Sequence, residues 1–237
     1  MSEWKARRFW TAATVLPVTG GWEVVLDTRP LRTPGKQPLT LPTKALAEAI
    51  AAEWDAIEDE IVPLNMPLTR AANSAIEKVR PQFDAVAAML ADYGGTDLLS
   101  YRADQPDDLI ALQAQGWDPL IDWAARELSA PLQITHGIVP IDQDPAALRA
   151  LAAKVAAQDD FGLTALHDLV TLPGSLILGL AVSMGRIDAD EAHRLSRIDE
   201  DFQASRWGRD EEADATAEAR RQAMMSAERF LHLSRPD

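Results

Sequence analysis

The stretch "TVLPVTGGWEVVLDTRPLRTPGKQPLTLPT", residues 14–43, decides the fold class, because its texture differs from everything that follows it. Val15 and Val18 precede Gly20-Gly21, and Trp22, Val24 and Leu26 then alternate with Glu23 and Val25. That pattern predicts a hairpin, and the prolines, glycines and aspartate that break the rest into short runs are the punctuation of a small antiparallel sheet. Thr43 then offers its hydroxyl to the open amides of a first helix. Leu46, Ile50, Trp54, Ile57 and Ile61 form the apolar stripe of that helix, at steps of three and four. Trp54 reads as structural: its stripe is continuous, so a charged replacement there should unfold the domain.

From residue 68 onward the texture is helical. Leu68, Ala72, Ile76 and Val79 make one stripe, and Phe83, Val86, Leu90 and Tyr93 the next; Pro81 separates them and Gly94-Gly95 closes the second. A helix from Pro106 to about Leu128 carries Leu109, Leu112, Leu120 and Trp123, with a kink expected at Pro119. Asp144-Pro145 opens a helix to about Gln158, and Asp188 with Glu191 opens another over 188–206, followed by a last one over 210–233. The run "PLQITHGIVPI", 131–141, is extended, and is a candidate to pair with the N-terminal sheet. The chain therefore reads as α+β: a small N-terminal antiparallel sheet with a helix in 1–70, joined to a larger all-helical domain in 71–237.

Composition excludes several functions. With 37 acidic and 23 Lys and Arg residues the formal charge is −14, so the surface repels phosphates and nucleic acid is a poor partner. The absence of cysteine removes disulfides, thiolate metal sites and a thiol nucleophile. "LVTLPGSLILGLAVSMG", 169–185, is uncharged over a length at the lower edge of a membrane span. Its Pro173 and its glycines favour a buried core helix, so no membrane insertion is expected.

The chemical inventory is thin. There is no phosphate loop and no nucleophile elbow; "GSLILG", 174–179, lacks the lysine that a phosphate loop needs. His136, His167, His193 and His232 are scattered without metal-ligand spacing. His167 beside Asp168, and His193 near Asp190 and Glu191, are the two places where an enzyme would find a base. Structural roles account for both more simply.

One helical stretch carries more than folding requires. In "SRIDEDFQASRWG", 196–208, the core stripe is Leu195, Ile198 and Phe202. Glu200, Gln203 and Trp207 lie at i, i+3 and i+7 and share a second face, an acid and an amide beside a large aromatic. That makeup suits a binding hot spot. On spacing alone the alternative, in which Glu200 pairs with Arg197 and Trp207 packs back on the chain, stands equally well.

Five blocks taken in order resemble one family. They are "GGWEVVLDTRPLRTPGKQPLTLPTKALAEAIAAEWD" (20–55), "MPLTRAANSAI" (66–76), "YGGTDLLSYR" (93–102), "HDLVTLPGSLILGLAV" (167–182) and "SRIDEDFQASRWG" (196–208). They are similar to the signature blocks of the ATP synthase F(1) assembly chaperone family that acts on the alpha subunit. The resemblance implies a non-enzymatic, cofactor-free, monomeric chaperone of α+β fold that binds the unassembled alpha subunit, prevents its aggregation and releases it to the beta subunit. It places the chain with cytoplasmic bacterial members rather than those of the mitochondrial matrix.

Carried over residue by residue, the family's acidic run, aromatic, Gln and Trp-Gly match Asp199, Glu200, Asp201, Phe202, Gln203, Trp207 and Gly208. The resemblance makes Glu200 the residue of first functional importance. With it, Gln203, Trp207, Asp199 and Arg206 are the partner-binding candidates, while Asp97, Tyr101 and Phe202 join Trp54 as structural ones. Glu53-Trp54-Asp55 and the run Asp97 to Arg102 match two further motifs. Ser100 stands where relatives often carry cysteine, which argues against a thiol-dependent role. Beside the alpha-specific chaperone stand two rivals, a general holdase or adaptor and an enzyme using His167 or His193.

Overall fold

Gly20 and Gly21 turn the chain as the hairpin pattern predicts. Strand β1, Ala13–Val18, pairs antiparallel with β2, Gly21–Leu26, with Val18 opposite Gly21 and Ala13 opposite Leu26. A short β3, Arg29–Pro30, joins the other side of β2. Glycine is required at 21, since a Cβ there would lie 2.2 Å from the Leu41 carbonyl oxygen, the acceptor for the Trp22 amide. The alternation expected along β2 fails at its end, where Val24, Val25 and Leu26 are all buried: a central strand covered on both faces has no solvent side.

The outer strand is β1. Its Ala13 N–H points away from β2 and donates to the Asp55 carboxylate at 2.8 Å, and Pro17, four residues on, has no N–H to offer.

Helix α1, Lys44–Asp55, starts at the Thr43 cap, whose hydroxyl oxygen accepts the Leu46 N–H at 3.1 Å. It stops at Asp55, so Ile57 and Ile61 lie beyond the helix that their spacing had extended, although Ile57 is still buried. Trp54 packs its ring against Trp10, centroids 5.1 Å apart. Glu53 reaches across to α2, Pro67–Ser74, and accepts the Leu68 and Thr69 N–H groups at 2.8 and 2.9 Å and the Thr69 hydroxyl at 2.7 Å. One carboxylate thereby takes donors that the start of any helix leaves free. Pro81 separates two helices as expected, though by turns and not by an open loop. A π turn, Ala75–Val79, and a 3-10 turn, Arg80–Gln82, lead straight into α3, Phe83–Asp92.

The structure, a computed structural model, describes residues 7–137 and 139–236. They fall into two units: Met1–Gln82 with Asp160–Thr164 and Arg229–Asp237, and Phe83–Asp159 with Ala165–Glu228. In the first, the Phe161 and Phe230 rings stack at 5.9 Å and Thr43 donates its hydroxyl to the Leu233 carbonyl.

The second unit is helical apart from one short parallel pair, β4, Tyr101–Arg102, with β5, Thr135–His136. The extended run 131–141 therefore pairs with β4 and does not join the three-stranded sheet; Ile138 of that run is outside the described residues. The Gln143 amide holds the run in place, accepting the Gln133 N–H at 2.7 Å and donating to its carbonyl at 3.0 Å. Arg102 of this pair lies against α4, Asp107–Glu127, while α5, Pro145–Ala156, packs on α3. Next come α6, Asp160–Thr171, whose first residues belong to the other unit, and α7, Leu176–Ser183. The stretch expected as one helix over 188–206 breaks at Arg197, giving α8, Ala189–Ser196, and α9, Ile198–Trp207; α10, Glu211–Ser234, follows.

All eight residues of α7 are buried, as a core helix requires, and no helix among the described residues is long and apolar enough to cross a membrane. Its start rests on Asp97, fully buried. That carboxylate accepts the Leu99 N–H at 3.0 Å, the Ser175 hydroxyl at 2.8 Å and the Ile177 N–H at 2.9 Å. Burial pushes the Asp97 carboxyl from its ordinary 3.8 up to about 6, against the pull of its backbone and Ser175 donors.

Two predictions follow from these carboxylates. The folded chain binds the Asp97 proton more tightly than the unfolded chain, so this group's contribution to stability falls as pH rises from about 4 to about 6 and is flat above. The fall amounts to about 3 kcal/mol. Urea melts at pH 4, 5, 6 and 7 should show wild type losing stability relative to Asp97→Asn, which does not titrate, between pH 4 and about 6, with the offset constant above. Glu53→Ala should cost about 1–2 kcal/mol at neutral pH, the scale of a lost helix cap, in the same assay.

Candidate functional site

Helix α9 buries none of its residues, yet its orientation is fixed. Gln113 of α4, almost wholly buried, donates its amide to the Asp199 carboxylate at 2.6 Å while its oxygen accepts the Ala103 N–H at 2.8 Å. The Trp117 indole N–H donates to the Leu195 carbonyl at 2.8 Å, three residues before α9 begins. Near the far end, Arg206 pairs with Asp108 and lies over the Phe202 ring at 4.9 Å.

Magnitudes rank these contacts. A hydrogen bond from a buried amide to a charged acceptor is worth about 1.5–3 kcal/mol, whereas the half-exposed Arg206–Asp108 pair is worth about 0–1 kcal/mol. Gln113 with Asp199 is therefore the clamp, and Arg206 a trim.

With Ile198, Asp199, Phe202 and Arg206 turned toward α4, helical geometry sends Glu200, Gln203 and Trp207 outward together. All three are exposed, and Trp207, at 80%, is the most open of the described large apolar residues. Arg197, which spacing offered to Glu200, bonds Asp201 at 3.0 Å instead. Neither the Glu200 nor the Gln203 side chain has a hydrogen bond or ion pair among the described residues. Gly208, with φ +101°, ends the helix at once and leaves the indole at an open corner.

Of the sequence candidates, the structure thus gathers Glu200, Gln203 and Trp207 on one free face. Asp199 and Arg206 are turned inward on α4, and Phe202 lies half-buried under Arg206. Asp97 and Tyr101 belong to the core side of the same unit, Tyr101 in β4 and Asp97 at the start of α7. Arg102 is buried over the Trp117 ring at 5.1 Å and pairs with Asp118 at 2.8 Å.

Sequence reasoning missed a charged cluster where α8, α9 and α10 meet. Arg221 pairs with Asp190 and Glu218, Arg209 with Asp214 at 2.8 Å, and Glu228 accepts the Ala189 N–H that opens α8. Arg221 with Glu218 is an ordinary i, i+3 pair, but the partners that join the helices, Asp190 with Arg221 and Ala189 with Glu228, stand 31 and 39 residues apart, beyond the reach of helical spacing. Within the cluster His193 has a buried Nε2 without a hydrogen-bond partner, and burial, followed by Arg197, holds its pKa below the usual value. His167 bonds Asp168 at 2.9 Å on the surface. No group of three or more His, Cys, Asp or Glu suited to a metal ion occurs among the described residues.

Residues 7–125 match the family described as ATP12 chaperone protein. Over 219 residues the chain is 24% identical to "Protein atp12, mitochondrial" of Schizosaccharomyces pombe, covering 87% of this chain and 75% of that protein. Against the crystal structure of Atp12 from Paracoccus denitrificans it is 71% identical, with TM-score 0.96 over 98% of this chain and 100% of that one. The Atu1473 protein of Agrobacterium tumefaciens is 38% identical, with TM-score 0.91 over 95% of this chain and 85% of that one. A family match over half the chain and a highly similar relative covered throughout lead to one conclusion: the chain belongs to the ATP12 chaperone family, the assembly chaperones that act on the ATP synthase alpha subunit.

Proposed function

We propose that this protein grips the unassembled alpha subunit with the outer face of α9, keeps it from aggregating and yields it to the beta subunit. Trp207 is the anchor, and Glu200 and Gln203 orient the client. The observation that carries this reading is the exposure of Trp207 beside two polar side chains that the fold leaves unused. A covered tryptophan removes about 150–250 Å² from water, worth several kcal/mol at about 25 cal/mol per Å² before the costs of association. An exposed indole brings none of that until a partner covers it.

Glu200 supplies direction, because a carboxylate next to the anchor accepts charge-assisted hydrogen bonds from an arginine or backbone donors of the client. The protein acts without a cofactor, as a monomer and not as an enzyme. A formal charge of −14 supports the absence of nucleic-acid partners and disfavours self-association. The high identity to bacterial relatives supports a bacterial cytoplasmic setting over the mitochondrial matrix.

A tagged full chain should capture purified alpha subunit in preference to beta subunit and to an unrelated aggregation-prone protein. Glu200→Lys should abolish that capture and Trp207→Ala weaken it by about tenfold or more, with circular dichroism and melting temperature unchanged because both side chains stand clear of the core. Equal capture of all three clients would turn the assignment to a general holdase, and capture of none would sink it.

A further inference from the structure

The other side of α9 borders a groove that the Trp207 face does not use. Its floor is the contact of α4 with the α8–α9 junction. At Gly116 a Cβ would meet Ile198 Cδ1 at 2.7 Å and Leu195 Cδ2 at 2.9 Å, so the helices approach with only a hydrogen between them. Above that contact a groove of about 330 Å³ stays open, with Leu112 and Pro119 along one lip.

Leu112 is the anomaly in α4. Its stripe companions Leu109, Leu120 and Trp123 are buried, while Leu112 is 45% exposed at the groove's edge. Its exposure arises because no chain element fills the groove beside it.

The rim adds a charge. Arg194 is spoken for by Glu191, through bonds of 2.8 and 2.6 Å. Arg186, also on the rim and exposed, has no ion pair among the described residues. The floor and one lip are apolar, while Gln115, Glu191 and the two arginines line the rest; with the Glu191 carboxylate taken by Arg194, the free Arg186 guanidinium favours an aliphatic side chain that has a carboxylate close by. A second copy of this chain, at −14, arrives against like charge.

Resting on the reading that alpha is the client, we propose that the groove receives an aliphatic side chain from a segment of the alpha subunit that carries a carboxylate within one helical turn, with Arg186 pairing that carboxylate. Ile198 lines the groove and Glu200 and Trp207 face away from it, so the client is held from two sides of one helix.

The test places a photo-crosslinking phenylalanine analogue at 112, at 203 or at 16 in the full chain, with purified alpha subunit as the probe. Leu16 is 51% exposed on β1, outside both surfaces, and serves as the control. Crosslinks to alpha are expected from 112 and 203 but not from 16, and the peptide joined at 112 should hold Leu, Ile or Val with Asp or Glu within four residues. Arg186→Glu should weaken alpha binding about fivefold and lower the yield at 112, while Arg186→Lys keeps most of both.

Crosslinking from 203 without 112 overturns the groove and leaves the alpha-binding reading standing. Crosslinking from neither overturns both. Equal crosslinking from 16, a captured peptide lacking a carboxylate, or an Arg186→Glu variant that binds and crosslinks like wild type also overturns it.

Discussion

The buried Asp97 carboxylate is the constraint on which the second unit depends. Ionised at neutral pH in a fully buried position, it is tolerable only because the Leu99 and Ile177 amides and the Ser175 hydroxyl converge on it. Those donors fix where α7 begins. Helix α7 packs against α4 and α8, and α8 leads through one residue into α9. Gly179 tightens the same core: a Cβ there would come within 2.5 Å of Val170 Cγ2, so α6 and α7 lie in close contact. The exposed face of α9 thus inherits its position from a chain of contacts that starts at one acid.

The same device recurs. Glu53 sits on the start of α2, Glu228 on the first amide of α8, and Asp27 takes the Thr11 and Ala12 amides. A chain with 37 acidic residues reads from composition as one with a negative coat, but several of these acids serve as acceptors for backbone donors that nothing else satisfies.

Much of the fold was legible because its signals are local. Thr43, Asp144 and Asp188 each accept an amide from the first turn that follows, as capping residues do. The hairpin was legible from two adjacent glycines. What local pattern could not supply was the partner. Ile57 and Ile61 continue a helical spacing after the helix has ended, since apolar residues are buried by tertiary contacts that need no helix. The 131–141 run was extended as read, but its neighbour is set by Gln143 and β4, not by its own composition. At the site, i, i+3 and i+7 geometry placed Glu200, Gln203 and Trp207 together without further help. The inward role of Asp199 depends on Gln113, 86 residues earlier, which no spacing rule reaches.

The outer edge of the small sheet has a consequence for a protein that works among sticky, half-assembled chains. An outer strand with free amides is an invitation to any extended segment, including a copy of itself. In β1 the outward-facing positions are Ala13, Val15 and Pro17, by the alternation of antiparallel pairing. Asp55 already occupies the first amide and the third has no hydrogen, so Val15 alone is left with a donor to offer. One donor cannot set a register. The β1 edge therefore offers too few donors for an extended segment to zip onto, which protects that strand from pairing with a copy of itself or with another unfolded chain.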